Sequence, residues 1–190
     1  SAGIGRAIAV QASNQGGKVI ITARNQEALQ QTLASMHQGD HKMLLADLAD
    51  ENQIAELTDS LPQLDAIVLN AGMIKTLPVQ FLKKLVIDEM MQVNFTSSVL
   101  LIQQLLKKKK LNPGAAVCFI SSIATQKMHI GNAAYSATKA ALNAYARSLA
   151  LELAPKQIRV NAILPGMIQT NLLDKGAIDE TQLEAHKKNY

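Results

Sequence analysis

The sequence predicts an α/β domain, a doubly wound parallel sheet with helices on both faces, and three observations carry that expectation. Short apolar segments of strand length alternate with amphipathic segments of helix length along the chain. A glycine turn, Ser1-Ala2-Gly3-Ile4-Gly5, runs straight into the first helical segment. At 190 residues, 48% hydrophobic and 18% charged, the chain can bury a substantial core as one domain spanning 1–190.

The elements follow in order. A helix is predicted over Gly5 to Gln15 and is ended by Gly16-Gly17, since glycine accepts the left-handed conformation that closes a helix. The apolar run Lys18 to Thr22 reads as a strand, and Gln26 to Met36 as a helix. Strand Met43 to Ala46 precedes a helix over Glu51 to Ser60, for which Asp50 is the N-cap. Ala66 to Leu69 is the next strand, and a long helical segment covers about Asp88 to Lys110. The turn Asn112-Pro113-Gly114 leads into strand Ala116 to Ile120. The alanine-rich stretch Ala133 to Leu153 is a helix, Ile158 to Ile163 a strand, and regularity fades after Gly166. Internal repeats and low-complexity linkers are absent.

Composition narrows the function classes. Cys118 is the single cysteine, so no intrachain disulfide can form, and its apolar neighbours suggest a buried strand thiol. No apolar run approaches the roughly 18 residues of a membrane span, and no basic n-region precedes an apolar one at the start. A soluble, cytoplasmic protein without membrane partners is expected. The four lysines Lys107 to Lys110 account for the whole net charge of +4, and at the end of a helical segment they are expected to stay solvated. With aromatics at 3% and none interleaved with that run, no nucleic-acid partner is expected. His129 lacks a neighbouring metal-ligand pattern, so no metal is assigned.

The residues that point to chemistry are Tyr135-Ser136-Ala137-Thr138-Lys139, with Ser122 thirteen positions upstream. On a helix, Tyr135 and Lys139 share a face one turn apart, so an ammonium stands near a phenol. A phenol of pKa about 10 is a poor acid at neutral pH, whereas a nearby cation is expected to lower it and make a general acid/base. Taken alone, the spacing suits an amphipathic helix with a buried aromatic and a solvated lysine equally well. The glycine turn adds a place where the N–H groups of a helix start can hold a phosphate.

Together these motifs resemble the classical short-chain dehydrogenase/reductase family. Gly3 and Gly5 match the second half of the family's Thr-Gly-x-x-x-Gly-x-Gly turn, and Leu69-Asn70-Ala71-Gly72 matches Asn-Asn-Ala-Gly with one asparagine replaced. Val93-Asn94-Phe95, Ile120-Ser121-Ser122 and Asn161-Ala162-Ile163-Leu164-Pro165-Gly166 follow in family order along essentially the whole chain. The resemblance implies a Rossmann-like sheet of order 3-2-1-4-5-6-7 and an NADP(H)-dependent oxidoreductase. Its catalytic residues would be Asn94, Ser122, Tyr135 and Lys139. Tyr135 would exchange the proton, Ser122 would polarise the substrate oxygen, Lys139 would lower the phenol's pKa and bind the nicotinamide ribose, and Asn94 would hold a water. A helix asparagine satisfying a carbonyl explains Asn94 equally well.

The same resemblance places the cofactor on Gly3, Ile4, Gly5, Arg24, Asp47, Leu48, Asn70, Ala71, Gly72, Pro165, Gly166, Ile168 and Thr170, besides Tyr135 and Lys139. At the end of the second strand, Thr22-Ala23-Arg24-Asn25 offers no acid to reject a 2′-phosphate and supplies Arg24 to bind one. NADP(H) is therefore favoured, with NAD(H) as the alternative. Asp47 and Leu48 would meet the adenine, and a strand-end carboxylate capping a turn describes Asp47 as well. Met73, Met128, Ile130 and Met167 could line an apolar substrate pocket, although core and loop places account for them too.

Against the family pattern, the chain opens inside the glycine turn and stops at Tyr190. The expectation is a chain incomplete at both ends, without the strand that feeds the turn and without the last helix and strand. Two unpaired inner strand edges would follow; direct closure of Lys18–Thr22 on Ala66–Leu69 is the other arrangement considered. The partner expected is a small carbonyl or alcohol, and the assembly a homodimer or homotetramer through the Asp88–Lys110 and Ala133–Leu153 helices. A catalytically inactive dinucleotide-binding or scaffold protein is the alternative function, and a fragment that does not fold alone is a third reading.

Overall fold

The structure, a computed structural model, describes residues 2–168. Helix α1 spans Gly3–Asn14 and is closed by glycines: Gly16 sits at φ 81°, and the Gly17 N–H reaches back to Ala12 O at 3.0 Å. Strand β1 (Ile20–Ala23) leads into α2 (Gln26–Ala34), whose start is capped by the Asn25 side chain accepting from Ala28 N at 2.8 Å. Strand β2 (Lys42–Leu45) is followed by α3 (Glu51–Ser60), capped as expected by Asp50, which accepts from Asn52 N and Gln53 N. Strand β3 is Leu64–Leu69.

The long helical segment starts at Lys84, before the expected Asp88, and it is not uniform. It comprises α4 (Lys84–Met91), a π turn at Gln92–Thr96, and α5 (Ser97–Lys107). Apolar periodicity fixes the buried face but does not register one extra residue in a turn. Strand β4 (Leu111–Ile120) pairs from Leu111, earlier than expected, with a register shift opposite Leu64–Ala66 that absorbs Asn112-Pro113-Gly114. Helix α6 (Ala133–Leu153) has the expected bounds, and β5 is Arg159–Ile163.

Among the described residues all strand pairings are parallel, in a two-stranded sheet β1-β2 and a three-stranded sheet β3-β4-β5. Strands β1 and β3 are not hydrogen-bonded to each other, so the direct closure considered above does not occur. The main core lies on one face of β3-β4-β5. There Leu69, Val117 and Phe119 join Ile102 and Leu105 of α5, Leu142 and Leu149 of α6, and Ile54 and Leu57 of α3, each helix presenting its apolar stripe. On the opposite face, Val68 and Ile163 are substantially exposed. A second cluster joins α1 and α2 to β1 through Ala9, Leu29 and Ile21.

Two features differ from expectation. Cys118 lies in β4 as expected but is half-buried rather than buried. Lys108 and Lys110 are not simply solvated: they donate to the carbonyls of Ala55, Asp59 and Leu61, and Lys108 also pairs with Asp59 at 2.7 Å. Cations from the end of α5 thereby satisfy the C-terminal carbonyls of α3. The continuous helical stretch Lys84–Lys107 is also long and apolar enough, by length and composition, to cross a membrane. It is not an uninterrupted apolar run, being broken by Asp88, Glu89, Gln92, Asn94 and Thr96. The apolar side chains Met90, Ile102 and Leu105 of this stretch are fully buried against protein.

Candidate active site

The expected site residues gather at the C-terminal ends of the strands, where an open parallel sheet leaves a crevice. Arg24 follows β1, Asp47 follows β2, Asn70 to Gly72 follow β3, Ser122 follows β4, and Pro165 and Gly166 follow β5. Thr170 lies outside the described residues, as does Ser1.

Helix α1 approaches the end of β3 so closely that a Cβ on Gly5 would lie 2.7 Å from Asn70 Nδ2. Any larger residue there would require the Asn70 side chain to shift. Gly3 has φ 51°, and Ala2 at the N-cap provides no side-chain acceptor for the first-turn N–H groups. Across the crevice, Arg24 pairs with Asp47 at 3.6 Å. Asp47 also accepts from Ala49 N at 2.9 Å, so its turn-capping role is present, and Leu48 packs against the main core.

The catalytic candidates meet where β3, β4, the π turn and α6 converge. Tyr135 is buried with Met90 and Ala124, and Met73 packs against them. Ser122 caps a 3₁₀ turn at Ile123–Thr125, its Oγ accepting from Ala124 N at 3.1 Å. Ile123 N donates to Pro165 O at 2.9 Å, tying the serine loop to the end of β5. Lys139 is 4% exposed and donates from Nζ to Ile120 O at 2.9 Å.

Asn94, in the π turn, is fully buried and makes three hydrogen bonds. Its Oδ1 accepts from Met73 N at 2.7 Å, while Nδ2 donates to Met73 O at 2.9 Å and Thr138 Oγ1 at 3.0 Å. The carbonyl-satisfying role is therefore present, directed at a residue distant in sequence. A Cβ on Gly72 would lie 3.3 Å from Lys139 Nζ and 3.5 Å from Asn94 Oδ1, so the chain after β3 passes directly beside both groups.

The electrostatics correct one expectation. Burial pushes the Tyr135 phenol above its usual value of 10.0, and the weaker opposing effect is its hydrogen bond with Ser122. Helical spacing brings Lys139 to the right turn but does not aim its ammonium, which is held on Ile120 O. Burial lowers Lys139 itself from 10.5 to about 8.

The other expected positions are less concentrated. Met128 and Ile130 lie exposed on the loop before α6, and Ile168 is partly exposed. Met167 is half-buried. The loop is fastened to the segment after Gly72 by Leu77 N donating to Gly131 O at 2.9 Å and Thr76 Oγ1 bonding Asn132 Oδ1 at 3.1 Å. Sequence reasoning missed Thr138, although it stands between Tyr135 and Lys139 at a helical spacing of three from the tyrosine. It also missed Ser121, whose Oγ donates to Lys139 O at 3.3 Å.

A dinucleotide fits these residues on two structural grounds: the glycine-bearing start of α1, whose N-cap Ala2 offers no side-chain acceptor, and the Gly72 backbone beside Lys139 and Asn94. Comparison with known proteins agrees with this reading. The family profile described as short chain dehydrogenase matches residues 1–181. A 3-oxoacyl-(acyl-carrier-protein) reductase of Rickettsia felis is 32% identical over 185 residues, covering 97% of this chain and 76% of the relative. Carbonyl reductase family member 4 of Xenopus laevis is 30% identical over 176 residues, covering 90% of this chain and 74% of the relative. A solved NADP active-site complex of Pseudomonas aeruginosa RhlG superposes with a TM-score of 0.85 at 33% identity, covering 97% of this chain and 76% of that one.

Proposed function

This chain belongs to the short-chain dehydrogenase family, a family of oxidoreductases, and we propose that it transfers a hydride between NADP(H) and a carbonyl or secondary-alcohol substrate. The observation that carries the reading is a Ser122–Tyr135 hydrogen bond one helical turn from Lys139, which with Asn94 stands beside the Gly72 backbone. NADP(H), when bound, supplies or accepts the hydride. Tyr135 gives its phenolic proton to the substrate oxygen in reduction and takes it back from the alcohol in oxidation. Ser122, already hydrogen-bonded to Tyr135, orients that oxygen. Lys139, one helical turn away and held on Ile120 O, would bind the nicotinamide ribose beside Gly72.

Gly3, Ile4, Gly5 and Asn70 to Gly72 would hold the dinucleotide, with Pro165, Gly166 and Ile168 at its nicotinamide end. Arg24 supports NADP(H) over NAD(H), as does the NADP complex of the Pseudomonas aeruginosa protein. The relatives' names favour a 3-oxoacyl thioester among carbonyl substrates. A cytoplasmic homodimer or homotetramer is part of the same reading.

The test is a nicotinamide fluorescence titration with NADPH and NADH, feasible because the chain has no tryptophan, followed by turnover with acetoacetyl-coenzyme A. Tyr135→Phe should keep its NADPH affinity and lose at least about 100-fold in turnover. Equal turnover by the variant would remove Tyr135 as the acid/base, and cofactor binding without turnover by the unaltered chain would favour a non-catalytic dinucleotide-binding protein.

A further inference from the structure

Thr138 occupies a junction that the catalytic assignment leaves out. It is 1% exposed and lies on the first turns of α6, three residues after Tyr135 and one before Lys139. Its hydroxyl makes two hydrogen bonds, to Tyr135 O at 2.7 Å and to Asn94 Nδ2 at 3.0 Å.

Their directions are fixed. A carbonyl oxygen only accepts, so the hydroxyl proton goes to Tyr135 O; an amide nitrogen only donates, so Asn94 gives its proton to the hydroxyl. The orientation of the Asn94 amide is set in turn by Met73, whose N–H meets Oδ1 and whose carbonyl meets Nδ2. A threonine hydroxyl bonded back to a carbonyl ties its side chain to the preceding turn, and here that turn is the one that carries the phenol.

We infer that Thr138 is a positioning residue, whose hydroxyl fixes the Tyr135 turn of α6 to the Asn94–Met73 clamp and so sets where the phenol stands relative to Ser122. The inference rests on the acid/base role proposed for Tyr135. It adds a continuous path of hydrogen bonds from the loop after β3, through the π turn, to the catalytic helix. Thr138 touches none of the reacting atoms itself.

The experiment compares T138V, T138A and T138S with the unaltered full chain, and carries Y135F as a control. Valine keeps the shape and deletes the hydroxyl, alanine deletes it with less bulk, and serine retains both hydrogen bonds. Three readouts are taken: kcat and KM for acetoacetyl-coenzyme A with NADPH, NADPH affinity by fluorescence, and tyrosinate absorbance against pH without cofactor. The absorbance step lost in Y135F identifies the Tyr135 titration.

T138V and T138A should each lose roughly tenfold or more in kcat, in line with the cost of misplacing a catalytic group by a fraction of an ångström to an ångström. NADPH affinity should stay within about twofold, the Tyr135 titration should move, and T138S should restore both kcat and titration. Wild-type kcat in either folded hydroxyl deletion would overturn the inference, as would a T138S variant as impaired as the deletions. A loss of activity that tracks folded fraction, with the Tyr135 titration unmoved, would reduce Thr138 to a structural role and also overturn it. If neither deletion folds, failure of T138S to match the unaltered titration overturns it, and a match supports it. Full turnover by Y135F is the separate result that removes the acid/base reading itself.

Discussion

Lys139→Met tests the electrostatics of the site through stability, independently of any substrate. The ammonium is buried, and its pKa falls from 10.5 to about 8. At about 1.4 kcal/mol per pH unit, keeping this lysine charged at neutral pH costs the folded chain about 3 kcal/mol. Because the folded value lies below the unfolded one, the unfolded chain binds more protons between pH 8 and pH 10.5. Stability should therefore rise with pH across that window, with the cost complete below it and absent above it.

Methionine keeps a similar length without the charge, so the variant escapes this cost. It also deprives Ile120 O of a donor now at 2.9 Å, a loss of about 1–3 kcal/mol that does not vary with pH. The discriminating quantity is accordingly the change in the stability difference, variant minus unaltered chain. That difference should fall by about 2 kcal/mol between about pH 7 and pH 9.5. Urea denaturation followed by circular dichroism at several pH values measures it. Cys118 and Tyr145, both raised by burial, titrate in each chain and cancel in the comparison. A difference that stays flat to within about 0.5 kcal/mol would refute the claim that burial depresses this lysine.

Two further substitutions probe the cofactor side. Arg24→Ala should weaken NADPH binding by about 10- to 100-fold, the worth of one charge-assisted hydrogen bond, and leave NADH nearly unchanged; equal weakening of both cofactors would contradict a 2′-phosphate contact. Gly72→Ala introduces a Cβ 3.3 Å from Lys139 Nζ, so turnover should fall by about tenfold or more while cooperative urea unfolding is retained. Wild-type turnover in that variant would show that the backbone after β3 has room to spare.

Much of the architecture was legible because its signals are local. Asp50 before α3, Gly16-Gly17 after α1 and the apolar stripe of Ala133–Leu153 each specify an element boundary through nearby atoms. The π turn at Gln92–Thr96 was not legible, since one additional residue in a turn scarcely disturbs an apolar stripe. Nor were the partners of Lys108 and Lys110, which depend on how α3 and α5 lie side by side. A run of four lysines looks like a solvated helix end until the second helix is in place.

The catalytic pair shows the same division more sharply. Spacing correctly sets Tyr135 and Lys139 on neighbouring turns, but a shared helix face determines proximity and not which atom the ammonium meets. Its position on Ile120 O reflects β4, and the raised phenol reflects the apolar cluster of Met90 and Ala124, neither of which is encoded in the five-residue motif. The helix therefore supplies the chemical groups, while β4 and the π turn determine their state. Thr138 stands where the two meet: its hydroxyl joins the helix that carries the phenol to the turn that fixes its surroundings.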